Sequence, residues 1–126
     1  MAKKPSKGYQ GLRKLALSYP ETDEAPSCNN MAFKVRKKAF LYLGDRDETY
    51  EIRLKLKDSL TEAKKLGKKD PDQYEVGGIG WVKVTYSSDK SPPRGLMERW
   101  IDESFRLLAP KAVVTELPKA GARKKR

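Results

Sequence analysis

Apolar and polar residues alternate most regularly between positions 50 and 57 of the chain. Successive side chains of a β-strand point to opposite faces of a sheet, so this pattern predicts a strand with one buried face and one face of mixed charge. The apolar positions are Tyr50, Ile52, Leu54 and Leu56, and the charged ones between them are Glu51, Arg53, Lys55 and Lys57.

Weaker alternation predicts further strands on both sides of this one. Residues 31–36 and 39–43 have strand character and are separated by Lys37 and Lys38, which predicts a hairpin with a basic tip. Residues 81–86 form another predicted strand, and residues 74–76 are expected to be extended. Between these two segments, residues 77–80 (Gly-Gly-Ile-Gly) are too rich in glycine for a plain strand interior.

Helical spacing of apolar residues occurs in three segments. Residues 12–19 predict an N-terminal helix that Pro20 stops, and residues 59–62 have the spacing of a capping box that opens a short helix to about residue 66 or 67. The longest helix is predicted over residues 93–108, with Trp100 on its apolar stripe. Residues 21–30 lack periodicity and are predicted to be a loop. The fold class is therefore α+β, a single antiparallel sheet backed by an N-terminal helix, a short middle helix and a long C-terminal helix.

The 126 residues are enough for one domain with its own core. The formal charge is +11, and it is concentrated at the ends of the chain, because residues 1–7 and 119–126 carry eight of the 28 Lys and Arg residues and no acid. We therefore expect a disordered basic tail at each end and a single domain over residues 8–118, whose own net charge is only +3. A basic chain favours an acidic partner such as nucleic acid.

Candidate chemistry is sparse in this sequence. The chain has no His and a single cysteine, Cys28, so neither a zinc site nor a thiol activated by an imidazole is expected. The acidic residues Glu21, Asp23 and Glu24 are read as a solvated loop and not as a metal site. No cofactor and no catalytic residue is predicted. The lone thiol, with no signal peptide and no apolar span, favours a cytoplasmic protein that does not enter a membrane.

The order of these segments resembles the MmcQ/YjbR family over roughly residues 10–112. The resemblance is carried by residues 33–40 (Phe-Lys-Val-Arg-Lys-Lys-Ala-Phe), 54–56 (Leu-Lys-Leu), 80–82 (Gly-Trp-Val) and 108–111 (Leu-Ala-Pro-Lys). It implies a compact α+β fold and a proposed DNA-binding mode in which β-hairpins act as paired wings; it implies no catalytic residues. Some members have a His- or Lys-containing stretch before the Trp. This chain has Val-Gly-Gly-Ile-Gly there, which departs from a phosphate-contacting second hairpin.

Three groups of cations are candidate nucleic-acid contacts, because Lys and Arg hydrogen-bond to phosphate. The alternatives are that hairpin lysines protect a sheet edge from aggregation and that helix lysines complement the helix dipole. Trp81 is either a base-stacking residue or, more in keeping with a large aromatic, a core residue; Trp100 is expected in the core. The groups are Lys34, Arg36, Lys37 and Lys38; Lys64, Lys65 and Lys68 with neighbouring Lys69; and Arg123, Lys124, Lys125 and Arg126.

The sequence thus predicts a non-enzymatic, monomeric DNA-binding protein that uses a basic β-hairpin and basic tails. Two other functions stay open. One is a protein–protein interaction module that uses an exposed sheet or edge strand. The other is a small-ligand-binding protein or enzyme with a cleft around residues 77–81.

Overall fold

A computed structural model describes residues 7–46, 48–93 and 95–115 of the chain. Its helices are α1 (Lys7–Leu17), α2 (Leu60–Lys69), α3 (Leu96–Leu108) and α4 (Lys111–Val114). Its strands are β1 (Thr22–Ser27), β2 (Asn30–Val35), β3 (Lys38–Arg46), β4 (Thr49–Lys55), β5 (Tyr74–Val76) and β6 (Trp81–Ser87).

The six strands form one antiparallel sheet in the order β1-β2-β3-β4-β6-β5. Helix α3 packs against β3 and β4, α1 against β1 and β3, and α2 against β5. The predicted α+β class, with one sheet and an N-terminal, a middle and a C-terminal helix, is confirmed.

The core lies between the sheet and the helices. Strand β4 contributes alternate buried residues, as its pattern predicts, and α3 contributes its apolar stripe. Ser104 on α3 is buried with its hydroxyl donating to the Phe40 carbonyl at 2.6 Å, which ties the helix to β3. Since Phe40 stands at a register shift between β2 and β3, its ring joins those of Tyr19 and Phe105 under α3.

The prediction of a loop over residues 21–30 is wrong. Residues Thr22–Ser27 form β1, an edge strand that pairs antiparallel with β2. Its residues are mostly polar and none is fully buried, so no apolar face shows in the sequence. Pro26 is tolerated because an edge strand leaves one side of its backbone unpaired. Pairing with β2, which follows after a two-residue turn, makes this segment extended although its own residues show no strand pattern.

The two predicted helix starts are each partly wrong. Helix α3 begins at Leu96 and not at residue 93, with Gly95 in the left-handed conformation before it. Ser59 does stand at the N-cap of α2, but its side chain makes no capping bond. Instead the Glu103 carboxylate on α3 accepts the amide hydrogens of Lys57 and Ser59, at 2.6 and 3.1 Å.

Glu62, the expected partner of Ser59 in the capping box, has a different role. Its carboxylate accepts both nitrogens of the Arg99 fork and the Trp100 indole nitrogen. The bond from Arg99 is the main reason that the pKa of Glu62 lies below its ordinary value. These contacts join α2 to α3, so tertiary contacts hold the first turn of α2 in place.

The ends of the predicted domain shift slightly. Helix α1 begins at Lys7, so this residue belongs to the folded body and not to the predicted tail of residues 1–7; α2 continues to Lys69. Val113 on α4 is buried in the core. The predicted disorder of residues 1–6 and 119–126 lies outside the described residues.

Buried tyrosines predict an unusual loss of stability in alkali. The Tyr50 hydroxyl donates to the Lys90 carbonyl at 2.7 Å, and burial raises the pKa of Tyr50 from 10.0 to about 12. Burial, with the Tyr74 hydroxyl second, also raises the pKa of Tyr86. The unfolded chain therefore releases these protons first, and the free energy of unfolding should fall between about pH 10 and 12, by roughly 2–3 kcal/mol for Tyr50.

Urea unfolding at a series of alkaline pH values measures this slope. Tyr50→Phe should flatten it, because the phenylalanine ring has no proton to release. A Tyr50→Phe variant with an unchanged slope would contradict the assignment.

Candidate nucleic-acid interface

The predicted basic hairpin is present, with a two-residue turn. Val35 and Lys38 are the last paired residues of β2 and β3, and Arg36 and Lys37 connect them with φ angles of 47° and 75°. Two consecutive residues in the left-handed conformation match the twist of a β-hairpin. Such turns usually contain Asn-Gly, because a Cβ is crowded in that conformation. We call Arg36, Lys37 and Lys38 the basic turn. All three are exposed.

An acid beside the basic turn, Glu21, reduces its charge by one. The Arg36 guanidinium binds Glu21 through two nitrogens at 2.7 and 3.1 Å, and this bond holds the pKa of Glu21 below its ordinary value. One of the three hairpin cations is therefore paired with an acid that lies 15 positions away in the sequence. Neither Lys37 nor Lys38 forms an ion pair with any residue in the described ranges.

A second turn projects from the same end of the sheet. Residues 77–80, the glycine turn, connect β5 to β6, and the antiparallel order places them three strand spacings from the basic turn, about 14 Å away. Leu56 donates its amide hydrogen to the Gly80 carbonyl at 2.8 Å, which fastens this turn to the end of β4. Ile79 at its tip has a φ of 51° and is 82% exposed.

The face of the sheet opposite the core presents aromatic and basic side chains, and we call it the open face. It is made by the residues that alternate with the core positions of β3, β4 and β6. The Tyr42 and Trp81 rings meet on it with centroids 6.0 Å apart and planes tilted by 57°. Its principal residues are Tyr42, Arg53, Lys55, Trp81 and Lys83.

The preference for Trp81 as a core residue is wrong. Val82, Val84 and Tyr86 are buried under the helices, so Trp81 shares the opposite face with Lys83 and Thr85. The sequence already indicated that Trp81 lies on the polar face of β6, since Lys83 and Thr85 alternate with the apolar residues at 82, 84 and 86. The prediction for Trp100 is confirmed, because it is completely buried on α3.

The second group of cations lies apart from the basic turn. Lys64, Lys65 and Lys68 are exposed on α2, which packs against the edge strand β5, whereas the basic turn joins the second and third strands of the sheet. The structure therefore does not bring these two groups together. Lys34 lies on β2 beside Asp23 of β1. Arg123, Lys124, Lys125 and Arg126 are outside the described residues.

Other site chemistry is limited in the part of the chain that the structure describes. No group of three or more Cys, Asp or Glu side chains that could hold a metal ion occurs there. Cys28 is exposed in the turn between β1 and β2. Within the same described ranges, no helix has the length and apolar character needed to cross a lipid bilayer.

Comparison with known proteins gives a family and a fold. The chain is similar to the crystal structure of the Deinococcus radiodurans protein DR2400, which carries the family-model domain DUF419. The TM-score is 0.63 at 18% identity, with 98% of this chain and 91% of that chain covered. No curated protein sequence matches this chain significantly. The model of the YjbR family matches residues 17–107, most of the folded body. This chain therefore belongs to the YjbR family, as the order of its segments predicted.

Proposed function

We propose that this protein binds duplex DNA without catalysing a reaction, through its basic turn and the cations near its two ends. One observation carries the proposal. Arg36 and Lys37 occupy left-handed positions that cost about 1–2 kcal/mol each for residues with a Cβ. Asn and Gly would relieve that cost, so cations at these positions are better accounted for by a contact that they make than by the fold.

The Arg36–Glu21 pair is compatible with this role. Both side chains are about half exposed, at 52% and 41%, and such surface ion pairs contribute only about 0–1 kcal/mol. A phosphate can therefore replace Glu21 at low cost. Lys37 and Lys38 are available without any exchange of partner.

We further propose that the protein acts in the cytoplasm as a monomer. Its contacts are to phosphate, which carries no base sequence, so binding should show little sequence preference. Affinities of about 10⁻⁴ to 10⁻⁶ M at physiological salt are typical of such binding.

A titration of duplex DNA at several salt concentrations tests the proposal. Each phosphate contact releases condensed counterions, so affinity should fall steeply as salt rises. Poly-glutamate of matched charge, added as competitor, distinguishes DNA from an acidic protein partner. Affinity that does not change with salt, or complete displacement by poly-glutamate, would count against DNA binding.

Replacing the turn residues should separate stability from binding. The double variant Arg36→Asn, Lys37→Gly relieves the left-handed strain but loses the Arg36–Glu21 ion pair and gives the unfolded chain a more flexible residue. We therefore expect a net rise of about 1 kcal/mol in the free energy of unfolding. The same variant removes two cations and should bind DNA several-fold more weakly. Urea unfolding and DNA titration on one preparation measure both quantities.

A matched control is Lys64→Asn, Lys65→Gln, which removes two exposed cations on α2. It should lower DNA affinity less than the turn variant does. Equal losses in the two variants would show that only net charge matters, and not the position of the basic turn.

A further inference from the structure

The open face carries an aromatic contact that the fold does not require. Tyr42 and Trp81 lie on β3 and β6, which are not neighbours, and their rings meet across β4. Neither belongs to the core between the sheet and the helices. Each therefore leaves part of its ring accessible at the centre of the sheet, where the described helices do not cover it.

Cations lie directly beside both rings. In the strand register Tyr42 is opposite Arg53 and Trp81 is opposite Lys55, so β4 supplies a cation to each aromatic residue. Arg53 is held by Glu51 at 2.8 Å. Lys55 makes no ion pair within the described ranges, and its stem runs along the glycine turn, where a Cβ on Gly80 would lie 3.5 Å from the Lys55 Cγ.

Ile79 extends this surface past the end of the sheet. A β-branched residue with positive φ is a backbone outlier, and here the side chain is held away from the protein, two residues before Trp81. A Cβ on Gly80, whose φ is 88°, would lie only 2.6 Å from the Leu56 carbonyl oxygen, so a side chain at this position would clash. The turn is thus rigidly attached to β4 while its apolar tip is presented to solvent.

We propose that the open face binds unpaired nucleotides, with a base stacked on Trp81 and Tyr42 and the sugar-phosphate backbone beside Lys55. Aromatic side chains stack on any base, and neighbouring cations follow the backbone, which is the combination found in single-strand binding surfaces. Charge decides against a protein partner, since the centres of protein interfaces are depleted in lysine. Lys55 lies beside Trp81 without an ion pair in the described ranges, and Lys83, two residues along β6, is paired at 3.5 Å only with the half-exposed Glu75. This inference rests on the proposed nucleic-acid binding and adds single-stranded nucleic acid to duplex DNA as a ligand.

Two oligonucleotides of equal length and charge test stacking directly, an oligo-dT and its abasic analogue, which lacks the bases. The full chain should bind oligo-dT about five- to a hundredfold more tightly, the range expected for one stacked base. Trp81→Ala leaves only Tyr42 to stack, so it should remove most of the difference in affinity between oligo-dT and the abasic analogue and leave the affinity for the analogue unchanged. Trp81→Phe, which keeps a ring, should retain most of the difference.

Lys55→Ala is the matched control for charge, because it should weaken binding of both oligonucleotides by the same factor. Fluorescence adds a readout that a structural role would not alter. Oligo-dT should quench tryptophan emission in the wild type and not in Trp81→Phe, whose remaining Trp100 is buried.

The outcomes distinguish this inference from the proposed function. Salt-dependent duplex binding with equal affinity for oligo-dT and its abasic analogue would overturn the stacking site and leave the proposed function intact. Equal losses for both oligonucleotides in Trp81→Ala would also overturn it. Absence of salt-dependent binding to duplex, oligo-dT and abasic analogue alike would overturn both.

Discussion

Deleting residues 1–6 and 119–126 is expected to lower the affinity for duplex DNA by roughly tenfold or more at physiological salt. These segments hold seven cations and no acid. The deletion stops before Lys7 because that residue begins α1. Each lost phosphate contact reduces the log–log salt slope by about 0.9, so the slope should fall by several units and at most about six.

Reversing the basic turn in this shortened protein should abolish the remaining binding. Its body has a small net positive charge, so residual affinity must come from cations that are concentrated in one place. The full variant is Arg36→Glu, Lys37→Glu, Lys38→Glu. Since this change also sets two acids together at the Arg36–Glu21 pair, a second variant with only Lys37 and Lys38 reversed keeps that contact and should lose most of the binding as well.

The control reverses Lys64, Lys65 and Lys68 on α2. It makes the same change in net charge as the triple turn variant and should matter less, because Asp70 and Asp72 follow α2 directly. Circular dichroism checks that each variant is folded. A folded turn variant that binds DNA as well as its shortened parent would reject the basic turn as a contact and favour a protein partner.

The sequence predicts elements well where a local pattern determines the structure. Strand β4 has one buried face, so its alternation is complete. The cations of the basic turn were likewise found from their position between two strand patterns. Strand β1 was missed because its extended form depends on pairing with β2 and not on its own residues.

The open face shows where prediction from sequence ends. The alternation along β6 puts Trp81 on the same face as Lys83 and on the opposite face from Val82, and this could be predicted from the sequence. The contact between Tyr42 and Trp81 could not be predicted from this alternation, because it requires β4 to lie between β3 and β6. Neighbours across a sheet are set by long-range pairing, and a candidate site built from three strands becomes visible only once that order is known.

The two tryptophans should differ sharply in their effect on stability. We expect Trp100→Ala to lower the free energy of unfolding by about 3–5 kcal/mol, the usual cost of removing a large buried aromatic side chain. Trp100 is completely buried, its ring meets that of Tyr74 edge-on, and its indole nitrogen donates to Glu62 at 3.0 Å. Such a loss is a large part of the roughly 5–15 kcal/mol that stabilises a typical domain.

Trp81→Ala removes the same type of side chain from the open face, so its effect on the free energy of unfolding can be compared directly with that of Trp100→Ala. Its ring is part-exposed and contacts Tyr42 across β4, so truncation leaves no cavity in the core and should cost about 1 kcal/mol. Urea unfolding followed by circular dichroism suits both variants, since each lacks one of the two tryptophans. Similar losses in the two variants would mean that Trp81 is needed for folding, and the case for its ring as a ligand surface would then fail on stability alone.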